Sequence, residues 1–226
     1  MWGNATLRRR PTINGEPVIL HAGTAKPRRS LRPWIYETIQ EYIMGLIDLV
    51  NAIDRLERGH LVIRYRPFGE CSVEELRARL PSSPRASIKT EGRFLTDLEN
   101  ADLLVSFSST TLEEALHARR PVLQYAATRR YRHLPGQVWG KGSARRAAVY
   151  SVYNPGDLES ALGWILDRHA GNLLSDDEVR GYVFPGDRSA DELARCLADP
   201  QLLHARLVRD DSVGLDAGSP SNVDPC

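Results

Sequence analysis

The sequence predicts an α/β fold: a mainly parallel sheet with helices on both faces. Three observations predict it. Short apolar runs alternate with segments of helical period along most of the 226 residues. The runs are almost unbroken in Val, Ile and Leu, as strands covered on both sides must be. One long segment carries the apolar stripe of a helix lying on such a sheet.

In chain order, residues 17–22, PVILHA, read as a strand that stops at Gly23 and enters a basic loop, KPRRSLRP. Residues 34–56 place Ile35, Ile39, Ile43, Leu46, Val50 and Ile53 on one helical face, with Gly59 just past the end. LVIRYRP (61–67) is a strand, SVEELRARL (72–80) a short helix and ASIKT (86–90) a strand. DLENA (97–101) is a helical turn leading to the strand of DLLVSFSS (102–109). LEEALHA (112–118) is the next helix and PVLQYA (121–126) the next strand. After a loop rich in Gly and Arg come a strand in AAVYSV (147–152) and a helix in DLESALGWILDRH (157–169). No internal repeat interrupts this order. The order is Rossmann-like, and the expected division is a lead or linker over 1–16, one domain over 17–206 and a disordered tail over 207–226. That tail is polar and rich in small residues, with too little apolar surface to offset the entropy of ordering it.

The bulk numbers exclude several classes. A formal net charge of +1 does not call for nucleic acid or an anionic surface as partner. Three cysteines without CxxC spacing argue against a disulfide framework and a structural zinc site, and so for a reducing compartment. No apolar stretch has the length of a membrane span, since Asp48 breaks the longest one, and the N-terminal residues lack the apolar core of a signal peptide. A cytoplasmic protein is expected, at most peripheral at the inner face of a membrane. The six histidines form no HxxxH or HExxH spacing, so no metal is expected. No GxSxG, Walker A or GxGxxG motif follows a strand, which weakens hydrolase, P-loop and dinucleotide readings.

Ligands of parallel α/β sheets bind beyond the carboxyl ends of the strands, so the loops there hold the candidate site. In SFSSTTLEEAL, Ser108, Ser109 and Thr110 offer hydroxyls and backbone N–H groups at a helix start, where the dipole favours a phosphate. Glu113 and Glu114 follow on the first turn, where a carboxylate can accept from a ribose diol. The same residues equally suit plain N-capping. His21 ends the first strand, where it either packs or faces a cleft.

Read as a unit, ENADLLVSFSSTTLEEALHARRPVLQY resembles the nucleotide-binding stretch in the C-terminal domain of GT-B glycosyltransferases, in particular the CDP-glycerol glycerophosphotransferase-like group. Arg120-Pro121 stands for that group's Lys-Pro, and Phe107 stands where the related UDP-N-acetylglucosamine 2-epimerases have an aspartate. The resemblance runs over about residues 17–198 and implies half of a GT-B architecture. It assigns Ser108 and Ser109 to the diphosphate and Glu113 or Glu114 to the ribose. The group's Arg-x-His-Pro is matched at Arg64, but Arg66 replaces the histidine, which removes a proton-transfer role and leaves a guanidinium able to fork onto phosphate. Arg66 could instead pair with Glu70 or Glu74. Thr24 and Lys26 fall where such domains approach the phosphates or the acceptor, and Tyr125 and His133 border the loop that lines base and sugar.

The implied activity is transfer of a sugar, or a glycerol-phosphate-like group, from a nucleotide donor to a surface polysaccharide or related glycan, the acceptor being free or lipid-linked. No cofactor is implied beyond the donor, and no nucleic acid. The resemblance also implies a second, N-terminal domain that carries the acceptor site, so an acceptor domain or partner subunit is expected and the chain is not expected to turn over alone. A UDP-sugar 2-epimerase-like enzyme is less well matched because the Gly-Gly turn is absent. A nucleotide-binding module without chemistry remains the third reading, since a fold implies no function.

Overall fold

A computed structural model describes residues 15–24, 37–67, 71–127, 132–142 and 144–183, all within one unit. Seven strands form one sheet: β1 Val18–Ala22, β2 His60–Arg64, β3 Ala86–Lys89, β4 Leu103–Ser106, β5 Val122–Tyr125, β6 Gln137–Val138 and β7 Val149–Val152. Their order is β3-β2-β1-β4-β5-β7-β6, and every pairing is parallel. The chain lays down β1, β2 and β3 towards one edge, then returns to place β4 against the other side of β1. Asp102 fixes that return: its Oδ2 accepts from the Val18 N–H at 2.8 Å, tying the start of β4 to the start of β1.

Alternation along the strands sorts the core into two layers. Ile19, Leu61, Ile63, Leu103, Val105, Leu123 and Tyr150 point to one face, where they pack on α1 (Ile39–Leu56), α2 (Val73–Arg79) and α5 (Leu158–Arg168). Leu20, Leu104, Val122 and Val149 point to the other, against α3 (Phe94–Glu99), α4 (Thr111–His117) and α6 (Asp176–Val179). The Rossmann-like α/β fold read from the sequence is thus the fold of the described residues.

The start of the first helix and one short strand differ from the sequence reading. The first helix begins at Ile39, set by a capping box in which Thr38 Oγ1 accepts from the Glu41 N–H at 3.0 Å while Glu41 Oε2 accepts from the Thr38 N–H at 2.9 Å. It ends on Glu57, whose φ of 52° makes the left-handed cap that Gly59 was expected to serve. The two-residue strand β6 was not read from the sequence. It forms because Gly136 lies flat on β7, where a Cβ would stand 2.5 Å from Val149 Cγ1. Among the described residues no helix is long and apolar enough to cross a membrane.

Candidate functional site

The carboxyl ends of β1 and β4 lie side by side, with His21 opposite Val105 in the ladder. From this point the chain turns away on one side to α1 and on the other to α4, so the strand order reverses here and leaves a crevice. Gly23 makes the close approach possible. Its φ is +153°, and a Cβ on it would lie 3.1 Å from Ser106 Oγ.

The crevice continues as a slot between the sheet and the first half of α1. His21, Val105 and Tyr125 form its sheet wall, Tyr42, Gly45, Leu46 and Leu49 its helix wall, and Thr24, Glu37, Ser106, Phe107 and Ser108 surround its mouth. Two phenols brace the walls. Tyr42 donates to the Gly23 carbonyl at 3.1 Å, and Tyr125 donates to Asp48 Oδ2 at 2.6 Å. Burial pushes both hydroxyls above the usual tyrosine range, aided by the Glu37 charge for Tyr42 and by the Asp48 hydrogen bond for Tyr125, so both stay neutral donors.

His21 and Ser108 differ from these. His21 is 6 % exposed and Ser108 4 %, yet His21 Nδ1 and Ser108 Oγ have no hydrogen-bond partner. The His21 ring leans on Tyr42 with centroids 5.8 Å apart, and Tyr42 stacks on Tyr65 at 6.2 Å. Burial pushes the His21 imidazole down to about 4, so the ring is neutral at physiological pH.

Of the residues singled out in the sequence, the structure brings Thr24, Ser108 and Tyr125 into the slot. Ser109 Oγ accepts from the Thr111 N–H at 3.3 Å just ahead of α4, and Thr110, the N-cap, is exposed. Glu113 and His133 meet each other, Oε1 to Nε2 at 2.8 Å, while Glu113 Oε2 is buried without a hydrogen-bond partner. Burial, with the Glu113 charge as a second cause, pushes the Glu114 carboxyl up.

Arg64 does not reach the slot. Its guanidinium is bonded to Asp97, to the Glu91 carbonyl at 3.2 Å and to the Gly92 carbonyl, and Lys89 shares the same Asp97. The acid that holds Arg64 is therefore Asp97, and its guanidinium is spent within the fold. Arg66 is exposed and lines no part of the slot. Lys26 and Glu70 lie outside the described residues.

Sequence reasoning passed over Tyr42, Gly45, Glu37 and Gln124. Gln124 carried a signal, as a polar residue inside an apolar strand. Its amide pairs with Leu134 in both directions, donating to the carbonyl at 2.8 Å and accepting from the N–H at 2.7 Å, and so holds the loop that presents His133. Gly45 also carried one, as a glycine inside an amphipathic helix. Among the described residues, no three His, Cys, Asp or Glu side chains gather as a metal site would need.

No family model matches the chain, and no curated protein matches it. Solved structures do. A Listeria monocytogenes protein provisionally described as a UDP-N-acetylglucosamine 2-epimerase aligns over 69 % of this chain and 38 % of its own, with TM-score 0.42 and 20 % identity. The S. aureus MnaA–UDP complex aligns over 70 % of this chain and 40 % of its own, with TM-score 0.42 and 16 % identity. The chain spans about two fifths of the length of each.

Proposed function

We propose that this chain is the donor-binding half of a GT-B-type transferase, holding a nucleotide-sugar diphosphate, or a glycerol-bearing relative, at the carboxyl ends of β1 and β4. The observation that carries the reading is the pair of buried atoms without hydrogen-bond partners, His21 Nδ1 and Ser108 Oγ, at the point where the strand order reverses. Buried polar groups are satisfied in nearly all native folds, so unsatisfied ones in a crevice point to an occupant. Glu113 supports it as well, with one carboxylate oxygen still to be satisfied. The acceptor, a glycan or its lipid-linked form, would be presented by a further domain or a partner subunit, in the cytoplasm or at the inner face of a membrane.

The test is thermal denaturation of the purified chain with UDP, CDP, GDP and ADP and their sugar or glycerol derivatives, because a ligand that binds only the native state raises apparent stability by RT ln(1 + [L]/Kd). A shift selective for one base supports a donor site. The absence of any shift overturns the reading.

A 2-epimerase-like enzyme would use the same nucleotide site and is separated by product analysis: epimerised free donor, not transferred sugar. A binding module would give the shift and neither product.

A further inference from the structure

We propose that the slot between α1 and the sheet receives an uncharged, hydroxyl-bearing end of the ligand, seated against His21 and Ser108, while the phosphates stay outside its mouth. This deepens the donor-site reading and rests on it for the identity of the ligand.

Charge is the first argument. Among the described residues that line the slot there is no Lys or Arg. A phosphate drawn inside would lose its hydration and find no cation among the described lining residues, which burial does not permit. His21 cannot supply the missing charge, because burial keeps its ring neutral. A hydroxyl both donates and accepts, so it matches a neutral imidazole nitrogen in either tautomer and a serine hydroxyl equally well.

Size is the second. The slot encloses about 30 Å³. That is room for about two water-sized groups, the scale of a hydroxymethyl and not of a sugar ring or a base. The third argument is Gly45. It sits inside an 18-residue helix, where glycine lowers stability, although a Cβ there would meet only Tyr125 Cε1 at 3.8 Å, an ordinary contact. Packing does not demand the glycine. Its effect is to leave the helix wall open beside the Tyr125 ring.

The experiment compares binding of UDP with UDP-N-acetylglucosamine and of CDP with CDP-glycerol, by calorimetry, in the wild-type chain, Gly45→Ala and His21→Leu. The wild type is expected to prefer the hydroxyl-bearing partner of one pair by about tenfold, the worth of one or two hydrogen bonds. Both variants should erase that preference, and Gly45→Ala should leave the affinity for the bare diphosphate unchanged. Since His21→Leu replaces a buried ring, Gly45→Ala is the variant that decides if His21→Leu does not fold. A preference that survives in Gly45→Ala overturns the inference and leaves the donor site standing, the slot then holding water alone. If no nucleotide binds at all, the imidazole nitrogen signals of His21 are followed by NMR against glycerol and N-acetylglucosamine. A shift in the wild type that is lost in Gly45→Ala keeps the slot and discards the nucleotide reading; no shift overturns both.

Discussion

Glu113 has one carboxylate and two claims on it. Its Oε1 is held by His133 at 2.8 Å, and its Oε2 is buried without a hydrogen-bond partner. A merely structural pair with a carboxylate about one-third exposed contributes little, about 1 kcal/mol or less. A ribose diol would use the remaining oxygen. Glu113→Ala is therefore expected to lower nucleotide affinity about tenfold or more, with only a small change in melting temperature. Unchanged affinity with lowered stability would make the residue a partner of His133 and nothing else. The buried imidazoles give a second expectation. Burial holds His21 and His169 at about 4, against an ordinary 6.5, so the unfolded chain takes up the protons first. Stability is then full above about pH 6.5 and is lost as pH falls through about 4, each ring withdrawing about 3 kcal/mol over that window. Urea unfolding at pH 7.5, 6.5 and 5.0 should show the decline, and His169→Gln should reduce it by about half. An equal slope in that variant would mean that His169 does not carry the effect.

At the scale of elements, the cluster of Arg64, Lys89 and Asp97 joins the ends of β2 and β3 to α3. Asp97 is 8 % exposed and serves two cations, so Asp97→Ala is expected to destabilise the fold by about 3 kcal/mol. Nucleotide affinity should not change, since none of the three lines the slot; a large loss of affinity without unfolding would return Arg64 to the site. Helix α1 gives the opposite expectation, with Gly45→Ala raising stability by roughly 0.5–1 kcal/mol in chemical denaturation, because the alanine loses less backbone entropy on folding. This is also the scale at which the sequence was most legible. Continuous apolar runs such as DLLVSF and the periodic stripe of α1 report burial directly, and β4 and α1 both form within the segments read for them. The two-residue β6 carries too short a pattern to be seen, and the helix start at Thr38 lay in a capping box that the apolar stripe, running back to Ile35, obscured. The site was legible only in part. Ser108, Thr24 and Tyr125 follow strands and could be found from that position. Tyr42, Glu37 and Gly45 enter from α1, and which face of a helix lies over which strand is a fact of tertiary packing. Arg64 misled for a related reason: its acid, Asp97, is far along the chain and adjacent only after β3 is laid beside β2.

At the scale of the whole molecule, strand order decides what the chain can do by itself. The reversal between β1 and β4 makes one wall of a crevice, where His21, Ser106 and Ser108 gather. His21 is neutral but buried, and both slot phenols are engaged in hydrogen bonds, so none of them is placed as a base for an incoming acceptor hydroxyl. On α4, Glu113 is paired with His133, and burial pushes the neighbouring Glu114 carboxyl up. If the donor-binding reading is right, the isolated chain should bind its nucleotide yet give no transfer from a radiolabelled donor to a polysaccharide acceptor above background, and activity should return on addition of an acceptor-binding domain. Transfer by the isolated chain would contradict this division of labour and place the base on this side of the crevice. Glu114→Gln would then be the variant to assay, with loss of turnover at unchanged donor affinity identifying that base.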